Sequence, residues 1–115
     1  MRFCTLSSCS YANSIVVQDR QTCVLVDCGL RKRDIKPFLA EVGLTPGDLD
    51  AVLITHCHVD HVYGLKYLLK ERTIPVYSSS PVLKQLRART SFCGQQDFRA
   101  LSPVTPEKIG TLTVN

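Results

Sequence analysis

The amino-acid sequence predicts an α/β fold, and three observations support this class. The first part of the chain contains three short runs of β-branched and apolar residues. Amphipathic helical patterns then alternate with short apolar runs, giving the order β-β-β-α-β-α-β-α. Hydrophobic residues make up 44% of the 115 positions, which is enough for the core of one compact domain.

The first three strands are predicted at residues 2–7, 14–19 and 22–27, where β-branched and apolar residues dominate. The intervening residues are polar and typical of turns, and they are few. We therefore expect these strands to be joined by hairpins and to form a small antiparallel sheet.

A helix is predicted over 35–42, where apolar residues recur at the spacing of one helix face. These residues are Ile35, Phe38, Leu39 and Val42. Asp34 is expected to cap the helix and Gly43 to end it, which places Pro37 in the first turn, where proline is tolerated.

A buried strand is predicted at 51–55, and the histidines of the chain begin where it ends. The next helix has an apolar face made of Val62, Leu65, Leu68 and Leu69. A strand at 75–78 and a capped helix start at Ser80 and Pro81 follow.

The remainder of the chain is less regular. Residues 90–110 are polar, with two prolines and two glycines, and are predicted to form a loop. Residues 111–115 begin like a strand but leave no room for a partner, so we expect the chain to be part of a longer fold.

Charge and hydropathy narrow the class of protein. The chain has 14 basic and 10 acidic residues, a net charge of +4 that is compatible with a polyanionic partner. It contains neither the apolar core of a signal peptide nor a run of about 20 apolar residues, so we expect a cytoplasmic protein.

The six cysteines include no C-x-x-C pair. Without an export signal we expect free thiols, with Cys4 and Cys23 as core residues of strands. Cys57 lies between two candidate metal ligands and is expected to point away from them.

The segment ITHCHVDHVYG, residues 54–64, contains all three histidines of the chain. Neutral imidazole and carboxylate groups are the usual zinc ligands when thiolates are not used. Leaving a strand, His56 and His58 can face one ion, while Asp60 and His61 can reach a second. The spacing predicts two divalent metal ions, zinc or manganese, which would activate a water for hydrolysis.

The sequence THCHVDHVYG resembles the H-x-H-x-D-H signature of the metallo-β-lactamase superfamily. The aspartate that closes a strand in that family matches Asp27 in VLVDCGL. The resemblance implies that Asp27 orients the metal loop without binding metal, and that Asp60 also steers the nucleophile.

The segment LSSCSYANSIVV resembles the opening hairpin of the YycJ/WalJ-like exonuclease branch. The matching residues are Ser7, Ser8, Ser10, Asn13 and Ser14. The chain departs from the branch at Cys9, Tyr11 and Ala12, where glycine is favoured, because these side chains occupy a turn that favours positive φ.

The resemblance spans residues 2 to about 89 and implies the N-terminal half of an αβ/βα sandwich. We therefore expect residues 1–115 to be a partial metallo-β-lactamase-like domain that lacks its C-terminal half. Family members add two further histidines and a bridging acidic residue downstream, but no histidine follows His61 here. Each ion would be under-coordinated, so we expect weak metal binding and little catalysis.

Three functions remain open. The first is a fragment of a metal-dependent hydrolase that cleaves phosphodiesters of DNA or RNA in an exonuclease-like manner. The second is hydrolysis of a small ester, thioester or lactone, and the third is a noncatalytic module that pairs as a homodimer to complete the fold. Basic candidates for contact with a nucleic-acid backbone are Arg31, Lys32, Arg33, Lys84, Arg87 and Arg89.

Overall fold

Three strands open the fold, and helices and strands alternate after them. A computed structural model describes residues 2–9, 12–56, 62, 64–71, 73–88 and 97–114. Its strands are β1 (Arg2–Cys9), β2 (Ala12–Asp19), β3 (Thr22–Val26), β4 (Ala51–Leu53), β5 (Val76–Ser78), β6 (Phe98–Ala100), β7 (Glu107–Ile109) and β8 (Leu112–Val114). Its helices are α1 (Lys32–Glu41), α2 (Leu65–Glu71) and α3 (Ser80–Arg87), with a 3₁₀ turn at Pro46–Asp48. The predicted α/β class is confirmed.

Strands β1 to β6 form one sheet in chain order. The pairs β1–β2 and β2–β3 are antiparallel, whereas β3 to β6 are parallel and are connected through helices. Each helix therefore lies between two consecutive parallel strands in the chain. We call residues 27–31, 54–56 and 79 the carboxyl end of the sheet, and residues 49–50, 74–75 and 97 its amino end.

One face of the sheet packs against the helices. Val16, Leu25, Val52 and Val76 lie side by side on consecutive strands, and each is at most 1% exposed. Because strand side chains alternate between faces, this register places a continuous apolar row beneath the helices. The helices contribute Leu39, Leu68 and Leu86 to the same cluster.

The opposite face is only partly covered. Ile109 and Leu112 of the β7–β8 hairpin pack against Val24, Ala51 and Tyr77 of the sheet. Beside the hairpin lies an open apolar cleft of about 300 Å³, and its lining includes Phe3, which is 66% exposed. The sheet thus has one closed face and one open face.

The predicted loop over 90–110 is wrong in two places. Residues 98–100 form β6, which pairs with β5, and residues 107–109 form β7, which is the partner of β8. The expectation that residues 111–115 lack a partner is therefore also wrong. These strands have three residues each, too few for an alternating pattern, and they depend on pairing with the rest of the molecule.

Two predicted helix starts are shifted. Helix α1 begins at Lys32, so Asp34 does not cap it but lies in the first turn, and Pro37 falls inside the helix. Helix α3 is capped by Ser79, whose hydroxyl accepts a hydrogen bond from the Val82 amide at 3.4 Å. The predicted end at Gly43 is confirmed by its φ of +79°.

The structure describes the side chains of three of the predicted free thiols. Cys23 and Cys28 are buried and Cys4 is half-buried, and all three are free. Cys23 belongs to the helix-side core, and Cys4 packs against it, which confirms both as core residues of strands. In the described part of the chain, no helix is both long and apolar enough to span a bilayer.

Candidate metal centre

The candidate site begins where β3 and β4 end side by side. Val26 pairs with Leu53 at the end of the parallel ladder. Asp27 follows β3 directly, and Thr55 and His56 follow β4 after one residue. Because neighbouring parallel strands end at the same side of a sheet, these residues meet at its carboxyl end, where open α/β sheets carry their ligand sites.

Asp27 is held in an unusual backbone conformation. Its φ is +61°, a left-handed value that aspartate adopts more readily than most residues other than glycine. Its amide donates to the Leu53 carbonyl at 2.7 Å, and its carbonyl accepts from the Ser14 hydroxyl at 2.9 Å. Ser14 is fully buried, so both bonds are shielded from water. Together they fix the direction of the Asp27 side chain.

The Asp27 carboxylate binds the start of the histidine loop. One carboxylate oxygen accepts from the Thr55 amide at 2.8 Å, and the other accepts from the Thr55 hydroxyl at 2.6 Å. Asp27 is 6% exposed, so these charge-assisted bonds lie largely out of water. Two bonds to a single residue determine both the position and the rotation of Thr55.

Thr55 in turn contacts His56. The Thr55 hydroxyl oxygen lies 3.0 Å from His56 Nδ1. Its single proton points to Asp27, so the hydroxyl accepts from the imidazole, and we infer that Nδ1 carries the ring proton. The lone pair of the ring is then on Nε2. A neutral imidazole oriented through its other nitrogen is typical of metal-ligating histidines, so this donor fits a divalent ion.

The other predicted ligands, His58, Asp60 and His61, lie outside the described residues, as does Cys57. Within the described residues, no three His, Cys, Asp or Glu side chains converge in a way that would hold a metal. The four-ligand set therefore stays a prediction, and His56 is its one member placed by the structure.

The far end of the loop is also fixed. The Gly64 amide donates to the Cys28 carbonyl at 2.8 Å. A Cβ atom at Gly64 would lie 2.1 Å from the Leu30 carbonyl oxygen, so no larger residue fits without displacing backbone. The loop is thus attached at both ends to the segment that follows β3.

A model of the metallo-beta-lactamase superfamily matches residues 8–114 of this sequence. The chain belongs to that superfamily. Its members generally use divalent metals, usually zinc. Membership gives the histidine loop its chemical context.

Two curated relatives are both exodeoxyribonucleases. WalJ of Streptococcus pneumoniae is 32% identical over 96 residues, which are 84% of this chain and 35% of that protein. YycJ of Bacillus anthracis is 32% identical over 79 residues, which are 69% of this chain and 30% of that protein. The chain thus spans about a third of the length of these superfamily relatives.

Solved structures of superfamily proteins match the fold. The Rm3 metallo-beta-lactamase superposes with a TM-score of 0.77 over 96% of this chain and 46% of its own, at 21% identity. The YhfI protein of Bacillus subtilis gives a TM-score of 0.69 over 89% of this chain and 43% of its own, at 24% identity. These likenesses concern the fold alone and confirm the predicted metallo-β-lactamase architecture.

A buried thiol lies next to Asp27. Burial and, to a smaller extent, the neighbouring Asp27 carboxylate together raise the pKa of Cys28 to about 12. Cys28 is therefore a neutral thiol at physiological pH, with no thiolate to offer a metal.

The structure separates the predicted basic residues. Arg31, Lys32 and Arg33 are exposed at the carboxyl end of the sheet, where Arg31 pairs with Asp34 at 3.0 Å. Lys84 and Arg87 are exposed on α3, whose last turn lies toward the amino end, and Arg89 is outside the described residues.

The resemblance identified Asp27, and its motif includes Thr55 and Gly64, but sequence reasoning assigned no role to these two residues. Thr55 joins Asp27 to His56, and Gly64 permits the close approach of the Leu30 carbonyl. The signal for Thr55 was its place directly before the first histidine. The signal for Gly64 was its place directly before an apolar helix.

Proposed function

We propose that this chain carries the metal-binding part of a hydrolase that cleaves phosphodiesters in nucleic acid, with exonuclease-like action. Two exodeoxyribonucleases are 32% identical to it over most of its length, which supports this substrate class. The net charge of +4 is consistent with a polyanionic substrate.

The observation that carries the proposal is the hydrogen-bonded chain from Asp27 through Thr55 to His56. It joins a buried carboxylate to the first histidine of a four-ligand motif. Such outer hydrogen bonds set the tautomer and the orientation of a metal-ligating imidazole.

In this proposal His56, His58, Asp60 and His61 hold two divalent ions, zinc or manganese. When bound, such ions lower the pKa of water and neutralise negative charge that develops on the phosphate. Asp27 holds the loop in place, and Asp60 also orients the attacking water. Arg31, Lys32 and Arg33 are placed to attract the nucleic-acid backbone toward the carboxyl end of the sheet.

The direct test is release of nucleotides from end-labelled DNA with zinc or manganese, beside thioester and lactone substrates. We expect slow, metal-dependent shortening of the DNA, because each ion is under-coordinated, and we expect this activity to be lost in His58→Ala and Asp60→Asn. Metal-dependent cleavage of a thioester or lactone with the DNA intact would contradict the proposed substrate. No cleavage of any substrate would contradict a catalytic role for this chain.

The open face of the sheet favours a second candidate, a noncatalytic module that pairs with another copy of itself. Phe3 is 66% exposed beside an apolar cleft of about 300 Å³, and an apolar surface of this kind gains stability when a partner covers it. Sedimentation of the folded chain tests this candidate. A dimer that Phe3→Lys converts to monomer supports it, and a monomeric parent chain contradicts it.

A further inference from the structure

Two lysines from different helices meet at one aromatic ring. The ammonium nitrogen of Lys66 lies 4.9 Å from the centre of the Tyr67 ring, and that of Lys32 lies 5.6 Å from it. Both distances are within the range of cation–π attraction. We call Lys32, Lys66 and Tyr67 the lysine–tyrosine cluster.

The cluster lies at the same end of the sheet as the candidate metal centre. Lys32 is the first residue of α1, and Lys66 is the second residue of α2. Both helices begin at the carboxyl end, and the bond from the Gly64 amide to the Cys28 carbonyl joins the segments that precede them. Lys66 lies two positions after Gly64, the residue whose amide bonds to Cys28, so the cluster lies near the described end of the histidine segment.

The stability of the helices does not explain this arrangement. The helix dipole disfavours a cation at the first position of α1, and two like charges near one ring repel each other. Neither ammonium group forms an ion pair with a carboxylate of the described residues, and Asp34 is already paired with Arg31. An anion that binds both lysines would relieve these unfavourable terms.

A small cleft beside the cluster indicates the size of that anion. It has a volume of about 40 Å³. Its walls are Lys32, Lys36, Tyr67, Ile35 and Leu68. A water needs about 10–15 Å³ on the same measure, so the cleft has room for a group of the size of one or two phosphate oxygens. Backbone phosphates, which meet the protein through single oxygens, suit both the charge and the size.

We propose that the lysine–tyrosine cluster binds backbone phosphates of a single-stranded nucleic acid beside the metal centre. The inference rests on the proposed function and assigns a strand-holding surface to it. Tyr67 keeps the two ammonium groups together, and each lysine meets phosphate as a point charge. Contacts of this kind position a strand without reading its sequence.

The test measures the binding of a short single-stranded DNA of mixed sequence. Fluorescence anisotropy reports the affinity at a series of salt concentrations. EDTA is present throughout, so that binding is measured without hydrolysis. The variant Lys32→Gln/Lys66→Gln is compared with Arg20→Gln/Lys108→Gln, which removes the same charge. Arg20 lies in the turn between β2 and β3 and Lys108 lies on β7, and both residues are exposed.

We expect Lys32→Gln/Lys66→Gln to weaken binding about tenfold at low salt and to reduce the slope of log affinity against log salt by about 1.4, about 0.7 for each phosphate contact with a single strand. The matched variant should keep the parent slope, and a DNA of different sequence should give the same ranking. Equal slopes for the two variants would overturn the assignment to the cluster. If the parent chain itself fails to bind DNA at low salt, the proposed nucleic-acid function fails first.

Discussion

Two aspartates join the same pair of parallel strands at opposite ends. At the carboxyl end, Asp27 is 6% exposed and accepts two hydrogen bonds from Thr55. At the amino end, Asp50 is exposed and accepts one bond from the Cys23 amide at 2.8 Å, while its own amide donates to the Cys23 carbonyl at 2.8 Å. Both carboxylates accept hydrogen bonds from the neighbouring strand segment, but Asp27 is buried and Asp50 is exposed.

The difference separates a residue that sets strand alignment from one that positions a loop. Asp50 bonds back to β3 and leads directly into β4, so its bonds fix the register of the two strands. Asp27 has a left-handed backbone and bonds forward to Thr55, the residue before the first histidine. The carboxyl end therefore carries the groups that organise a site, and the amino end carries groups that organise the sheet.

The largest effect is expected for Gly64→Ala, at the carboxyl end. The new Cβ would lie 2.1 Å from the Leu30 carbonyl oxygen, so backbone must move, at a cost of about 2–3 kcal/mol in the free energy of unfolding. The matched change is Gly47→Ala, near the amino end. Its new Cβ would lie 3.5 Å from the hydroxyl oxygen of Thr45, which is an ordinary contact. Urea denaturation measures both, and equal losses would contradict the comparison.

Asp27→Asn is expected to lower the free energy of unfolding by about 2 kcal/mol. It replaces a buried charge-assisted acceptor with a neutral amide that presents a donor toward the Thr55 hydroxyl. Asp50→Asn, at an exposed position, should cost about 0.5 kcal/mol. Chemical denaturation at neutral pH gives both values, and the idea fails if Asp50→Asn is the more damaging change.

Thr55→Val removes the hydroxyl that joins Asp27 to His56 while it preserves the shape of the side chain. We expect about a tenfold loss of zinc affinity, since the imidazole loses the acceptor of its Nδ1 proton. Nitrogen chemical shifts of the imidazole report the tautomer directly. An unchanged tautomer in Thr55→Val would show that Thr55 does not orient His56.

Each aspartate also has a buried cysteine beside it, and these thiols predict a loss of stability at alkaline pH. Burial, as the main cause, and the Asp50 carboxylate, as the second cause, raise the pKa of Cys23 from its usual 9.0 to about 11. Burial and, secondly, the Asp27 carboxylate raise the pKa of Cys28 to about 12. Between pH 9 and these values the unfolded thiols lose protons that the folded ones keep, so stability falls as pH rises.

At pH 10 each thiol should lower the free energy of unfolding by about 1 kcal/mol relative to pH 8. Thermal denaturation of the reduced parent, Cys23→Ala and Cys28→Ala at both pH values measures this. Lysines and tyrosines titrate in the same range, so the prediction concerns the difference between parent and variant. A variant that loses as much stability as the parent between pH 8 and pH 10 would refute it.

Much of the framework was predictable from the sequence because it depends on local patterns. The β-branched runs of β1 to β3 and the apolar spacing of α1 are visible without any tertiary contact. Asp27 was identified through the resemblance to the superfamily motif in which an aspartate closes a strand. The short strand β6 was not found, because its three residues carry no period of their own and become a strand through pairing with β5.

The details of the site were harder to predict for the same reason. Asp27 and Thr55 are 28 positions apart, and their bond depends on the parallel pairing of β3 and β4. Lys32 and Lys66 meet at Tyr67 through the packing of α1 on α2, so Lys66 carried no signal in the sequence. Residue types and spacing indicated metal binding, whereas the hydrogen-bond and cation–π contacts of these residues depend on the tertiary fold.

The most direct test of the central claim is the zinc and manganese affinity and stoichiometry of the parent chain, Asp27→Asn and Asp50→Asn, with His58→Ala as the ligand control. We predict that the parent binds metal at a site lost in His58→Ala, that Asp27→Asn weakens this binding about 10- to 100-fold, and that Asp50→Asn leaves it unchanged. Equal metal affinities for Asp27→Asn and Asp50→Asn would contradict the claim that the carboxyl end of the sheet is organised as a metal centre.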